Sequence, residues 1–179
     1  MIIVLNGYPG VGKLTIGREL TTLMNGRLLD IHTVYNLAVA LTEFKSPEFR
    51  DTVEKVETIA YDLIDKLPID IPIILTTVLA GQGDWGDSEW AKIEHLGQKR
   101  GPFCVVHISC DLDESIHRIQ SADRDQKRKP RDPAMAIRNQ TQAKPLYGLD
   151  AKHLLKLDTT QMTPQHAAQT IATWAATTH

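Results

Sequence analysis

Apolar and polar positions alternate between two periods along the chain. Ile2, Ile3, Val4 and Leu5 form a short β-branched run that stops at Asn6-Gly7, which predicts a buried parallel strand. Lys13 to Asn25 follows a helical period, with Ile16, Leu20 and Leu23/Met24 on one face and Gly26 as the predicted C′ residue. Arg27 to Asp30 reads as a second short strand. Ser46-Pro47 predicts a helix start, with an N-cap hydroxyl and proline at the first helical position. Its apolar stripe is Val53, Val56, Ile59/Ala60, Leu63 and Leu67. "IPIILTTVLAG" (71–81) is the next buried strand, and Asp87 is the expected cap of a helix carrying Trp90, Ile93 and Leu96.

"PFCVVHIS" (102–109) is a further strand, and Asp111 with Glu114 makes a capping-box pattern for a helix through about Gln120. Asp132-Pro133 opens a short helix to about Thr141, "HLLKLDTT" is the last strand, and Thr163-Pro164 opens the final helix. Strands alternate with helices throughout, which predicts an α/β fold with a parallel sheet covered on both faces. The chain of 179 residues suits one domain, 1–179. Two loops, 81–88 and 121–132, are long enough to be functional segments.

Composition narrows the classes. Hydrophobic residues are 42% and charged residues 23%, which excludes wholesale disorder. A net charge of −2 argues against nucleic-acid binding through bulk charge, leaving only a local basic patch. Cys104 and Cys110 make neither a disulfide framework nor a zinc site by themselves. No apolar run is long enough for a signal or membrane-spanning segment, so the expected compartment is the cytoplasm and no membrane partner is expected.

The candidate chemistry is concentrated in "GYPGVGKLT", Gly7 to Thr15. Gly7, Gly12 and Lys13 fit G-x-x-x-x-G-K-[ST] between a strand and a helix. In such a loop, successive N–H groups form an anion nest, the helix start adds positive partial charge, and Lys13 would bridge β- and γ-phosphates. The competing reading is an ordinary glycine-rich turn. Leu14 departs from the pattern, because the hydroxyl comes one residue later, at Thr15.

With Pro9, Gly10, Val11 and Thr15 included, the stretch resembles the adenylate-kinase type of loop, G-x-P-G-x-G-K-G-T. That resemblance implies that Gly7, Pro9, Gly10, Val11, Gly12, Lys13, Leu14 and Thr15 bind ATP, and that magnesium is held mainly through water and the phosphates. More widely, most of the chain resembles the P-loop small-molecule kinases (nucleoside monophosphate, shikimate and gluconate kinase-like), closest to a group of uncharacterised AAA-type kinases. Only the phosphate loop is highly specific.

The resemblance implies a three-layer P-loop NTPase fold, with a five-stranded parallel sheet in the order 2-3-1-4-5 and helices on both faces. It implies ATP and Mg2+ as cofactors and a small-molecule acceptor. Arg118 matches an arginine beside the adenine and phosphates, and Arg124 an arginine of a lid over about 121–132, which also holds Lys127, Arg128, Lys129 and Arg131. Thr159 and Thr160 match the adenine-contacting turn.

Asp30 matches a carboxylate that touches magnesium and the acceptor hydroxyl, with Thr15 as a second metal contact; a helix N-cap is the equal alternative for Asp30. His32 stands where shikimate kinase has a second carboxylate. The helices after the second strand, about 31–70, match an acceptor lobe in which Arg50 would grip an anionic acceptor. Phe49, Tyr35, Trp85 and Trp90 are pocket wall or core. The third strand, Ile73 to Thr77, lacks a Walker-B carboxylate, and Thr76 or Thr77 would hold a water there. An ATPase switch or a polynucleotide-end kinase are the alternative functions.

Overall fold

The computed structural model describes residues 1–121 and 132–178. The elements follow in chain order. They are β1 (Ile2–Asn6), α1 (Lys13–Met24), β2 (Arg27–Asp30), α2 (Ile31–Leu41), α3 (Pro47–Asp65), β3 (Ile73–Thr77), α4 (Asp84–Lys99), β4 (Phe103–Ser109), α5 (Leu112–Gln120), α6 (Pro133–Thr141), β5 (His153–Asp158) and α7 (Pro164–Ala175). The five strands form one parallel sheet in the order β2-β3-β1-β4-β5, as the resemblance implied.

Strand periodicity sorts the core into two layers. Ile3 and Leu5 face α1 and α7, joining Ile16, Leu20, Ala168 and Ile171. Ile2 and Val4 face the other way, joining Ile64, Trp90, Ile93 and Leu96 from α3 and α4. All five β1 residues are buried, because neighbours flank the strand on both edges and helices cover both faces. Each buried aliphatic side chain stabilises the fold by roughly 2 kcal/mol.

Three helix starts form as the sequence predicts. Ser46 Oγ accepts from Phe49 N–H at 3.1 Å, Asp132 Oδ1 from Ala134 N–H at 2.9 Å, and Thr163 Oγ1 from His166 N–H at 3.2 Å. Each cap is followed by proline at the head of its helix.

Four expectations change. The left-handed residue ending α1 is Asn25 (φ 51°), not Gly26; Gly26 is needed because a Cβ there would lie 2.6 Å from the Pro72 carbonyl oxygen. On α3, Ile59 and Leu63 are 61% and 58% exposed, and the inward face is Phe49, Val53, Glu57 and Ile64. Helix α4 begins at Asp84, so Asp87 lies in its first turn instead of capping it, and most of the expected 81–88 loop is helix. Asp111 caps α5 by position only; its side chain makes no cap bond, and Glu114 pairs with Arg118 instead. No described helix is long and apolar enough to cross a membrane.

Arg100 ties the root of the α3–β3 connection to the end of α4. It is 3% exposed, and its two terminal nitrogens donate to the carbonyls of Ile64 (3.2 Å), Leu67 (2.9 Å), Pro68 (2.6 Å) and Ile71 (3.2 Å). Charge-assisted bonds to buried carbonyls are costly to remove, because the acceptors are then left unmatched. Arg100→Leu is expected to destabilise the protein by about 3 kcal/mol, read as a lower urea midpoint. An unchanged midpoint would mean that water satisfies those carbonyls.

Candidate active site

Strand β1 ends at Asn6, and the chain turns back over the sheet before α1 begins. Gly10 (φ 98°) and Gly12 (φ 93°) occupy the left-handed region that makes this turn possible. A Cβ on Gly10 would also strike the Ser115 hydroxyl and lie 3.1 Å from Ile119. No side chain caps the start of α1, so its positive end is directed at the cavity by the backbone alone. Lys13 is buried, and its ammonium donates to the carbonyls of Gly7 (2.5 Å) and Tyr8 (3.0 Å).

The loop opens onto a cavity of about 410 Å³. Pro9, Gly10, Gly12, Lys13, Leu14 and Thr15 line it from the loop side, Asp30 and His32 from the β2–α2 junction, and Arg118 and Thr159 from the far wall. Gly7 and Val11 do not line it. Gly7 packs against the Ile108 backbone, and the Val11 side chain is in the core. Thr160 also stays outside the lining; its hydroxyl accepts from Asp111 N–H at 2.9 Å and donates to Asp158 Oδ1 at 2.6 Å. That contact, with the Thr160 N–H bond, holds the Asp158 carboxyl below its usual range.

Asp30 sits at the N-cap position of α2 but makes no side-chain cap bond. Its Oδ1 instead accepts from the Thr76 hydroxyl on β3, and Ile31 N–H lies 3.4 Å from the Thr76 oxygen. The side chain expected either to cap or to face the acceptor thus points to the carboxyl end of the sheet. Thr76 orients it there. Ligands of open α/β sheets bind at this end.

Arg118 is a cross-brace. Its Nε donates to Glu114 Oε1 at 2.6 Å, Nη1 to Val11 O (3.2 Å) and Thr159 Oγ1 (3.1 Å), and Nη2 to Thr159 O (2.8 Å). One guanidinium therefore joins α5, the loop and the turn after β5. Arg50 is exposed and does not line the cavity; its guanidinium lies over the Trp85 ring, 5.5 Å from the centroid. Phe49 and Trp90 are core, with Tyr35 edge-on to Phe49 at 5.6 Å. Arg124, with Lys127, Arg128, Lys129 and Arg131, lies outside the described residues.

Two residues that pattern reading passed over hold the loop from the other side. Asn6 is fully buried and exchanges two bonds with Leu79, Nδ2 to O at 2.9 Å and N–H to Oδ1 at 3.0 Å. Tyr8 accepts from Lys144 N–H at 2.8 Å. An asparagine closing an apolar strand was the available signal for the first; nothing local marks the second. His107 on β4 completes this side, bonded through Nε2 to Tyr147 O at 2.8 Å, and burial holds its pKa below the usual value.

A family model described as AAA domain matches residues 3–142. The chain belongs to the AAA domain family. The match runs from β1 through α6 and so takes in the phosphate loop, Asp30 and Arg118. Shikimate kinases of Brucella canis and Brucella suis are 29% identical to this AAA domain protein over 165 residues, which cover 88% of its chain and 74% of theirs.

Two solved structures share its fold. A sugar kinase from Janibacter sp. HTCC2649 has a TM-score of 0.62 at 14% identity, covering 97% of this chain and 92% of its own. Shikimate kinase from Acinetobacter baumannii, in complex with shikimate, has a TM-score of 0.61 at 21% identity, covering 96% and 90%. The two structures show the fold; the family match and the shikimate kinase relatives, with the loop geometry, support assignment to the P-loop kinases.

The brace predicts a stability effect. Arg118→Gln loses most of the bonds that join α5, the loop and the β5–α7 turn. It is expected to cost about 2 kcal/mol, read as a lowered thermal midpoint. A midpoint equal to the parent's would show that the loop holds its shape without the guanidinium.

Proposed function

We propose that this AAA domain protein transfers the γ-phosphoryl group of Mg-ATP to a hydroxyl or phosphate of a small-molecule acceptor. The observation that carries the reading is the sharing of one cavity by two sets of groups: Lys13 with the uncapped start of α1, and Asp30 aligned by Thr76. The first set suits phosphate, and the second suits an acceptor hydroxyl. The 29% identity to shikimate kinases supports the same division of labour.

The loop fits ATP on its own geometry. Gly10 lets the loop pack down on Ser115 and Ile119, and Gly12 leaves the cavity side clear of a Cβ between Arg118 and Ile16, so anionic oxygens can approach the backbone N–H groups. Lys13 exchanges its bonds to the Gly7 and Tyr8 carbonyls for phosphate oxygens. Thr15 and Asp30 are the oxygen donors on the cavity wall suited to magnesium, which when bound neutralises charge on the phosphates. Arg118 and Thr159 form the fixed wall on the nucleotide side. The committed donors of Arg118 suit it to positioning, so the charge that stabilises the transferring phosphoryl group is assigned to Arg124.

Asp30 orients the acceptor hydroxyl and takes its proton on a carboxylate oxygen, while Thr76 sets the carboxylate plane. His32, beside it on the cavity wall, contacts the acceptor. The α2–α3 hairpin, within about 31–70, serves as the acceptor lobe, and Arg50 reaches an anionic acceptor group only by leaving the Trp85 face. A cytoplasmic location, where ATP is abundant, goes with this reading.

The test is ADP release from Mg-ATP with a panel of hydroxyl and monophosphate acceptors. Release that rises many-fold with one acceptor is expected, and Lys13→Ala should lower it by about 100- to 1,000-fold without unfolding the chain. Asp30→Asn should slow transfer by about 100-fold or more while ATP affinity holds. Release that ignores every acceptor yet vanishes in Lys13→Ala would replace the kinase by an ATPase switch or a polynucleotide-end kinase. Full transfer in Asp30→Asn would remove Asp30 as the base.

A further inference from the structure

A second group of charges lies between α2, α3 and α4, and none of them lines the cavity. Glu57 of α3 and Glu89 of α4 are each 3% exposed. Lys92 of α4 reaches both, with Nζ 3.2 Å from Glu57 Oε2 and 3.0 Å from Glu89 Oε1; the exposed Glu54 carboxylate stands farther off at 3.8 Å. Tyr35 from α2 and Tyr61 from α3 face the same cluster, and burial with the two carboxylates keeps both hydroxyls protonated. At the far end of the α3–α4 seam, Lys99 pairs with Asp65 at 2.8 Å. The other cations of α3 are exposed: Arg50 lies over Trp85, and Lys55 pairs with Asp51 at 2.7 Å.

Two carboxylates buried against one ammonium leave an excess negative charge, which is expensive in a low-dielectric seam. A proton on one of them removes the excess, because a protonated carboxyl can donate to a neighbouring carboxylate where two carboxylates only repel. We propose that Glu57 and Glu89 share a single proton beneath Lys92 and form a proton-linked latch that docks the α2–α3 hairpin onto α4. With the proton in place, the contact is carboxyl to carboxylate to ammonium. When the proton passes to solvent, two carboxylates are left in contact and the seam loosens. The latch stands whether or not the cavity transfers phosphate.

The pH window follows from the direction of the shift. Burial, then the hydrogen bond and charge of Glu89, push Glu57 up to about 8 from an ordinary value of 4.5. Burial alone would lower Lys92, but Glu89 and Glu57 outweigh it and keep the ammonium charged throughout. A raised carboxyl means that the folded chain holds a proton the unfolded chain has lost. Its contribution to stability is therefore complete below about 4.5, falls as pH rises, and is gone above about 8.

Thermal midpoints of the full chain and of Glu57→Gln, measured from about pH 5 to about pH 9, test this. The parent should lose several degrees relative to Glu57→Gln as pH rises to about 8, and the two curves should run parallel above it. The amide of Glu57→Gln can still donate to Glu89 but cannot titrate.

Hydrogen exchange, corrected for its intrinsic pH dependence, supplies the second readout. Amides of α3 should lose about tenfold protection between pH 6 and pH 9 in the parent, while those of α1 keep theirs. Superimposable pH profiles for parent and variant, or equal loss in α1 and α3, would overturn the proposal. If Glu57→Gln does not fold, Glu89→Gln removes the same proton and is held to the same two outcomes.

Discussion

Between Asn6 and Lys13 the backbone leaves a fully buried strand and enters a helix, and it does so only by placing Gly10 and Gly12 at positive φ. That turn cannot drift. β1 is hydrogen-bonded on both edges, and the space beneath Gly10 is taken by Ser115 and Ile119. The uncapped start of α1, the burial of Lys13 and the shape of the cavity all follow from where this turn must run. Braces hold it from both sides. Arg118 and Thr159 fix the Val11 carbonyl, while Asn6 and Tyr8 fasten the loop to Leu79 and Lys144. Rigidity of this kind suits a site whose effect depends on positioning charge in advance.

Much of this was legible in the sequence because the deciding signals are local. Ser46-Pro47, Asp132-Pro133 and Thr163-Pro164 each announce a helix within a few residues, and Ile2 to Leu5 announces the central strand by composition alone. The phosphate loop is equally local, since its glycines and Lys13 are contiguous.

What stayed hidden depends on long-range contact. Asp30 and Thr76 meet across 46 positions, Arg118 and Thr159 across 41, and Tyr8 and Lys144 across 136. Periodicity also treats charge as a mark of solvent. It therefore put Ile59 and Leu63 on the inner face of α3, whereas Glu57 is buried there because Lys92 and Glu89 come to meet it. Helix α2 gave no stripe to read, since "IHTVYNLAVAL" carries no Asp, Glu, Lys or Arg on any face.

The two halves of the cavity also hang from strands of unlike security. The phosphate loop leaves β1, at the centre of the sheet, whereas Asp30 ends β2, a four-residue strand paired along one side only. The hydroxyl of Thr76, on the neighbouring strand, is what fixes the tip of that edge strand. Changes on the outer face of the hairpin after it, where Ile59 and Leu63 are exposed, can therefore accumulate without disturbing the centre. Such an arrangement is evolvable: descendants of one ancestor can exchange the molecules they act upon while inheriting the same grip on phosphate.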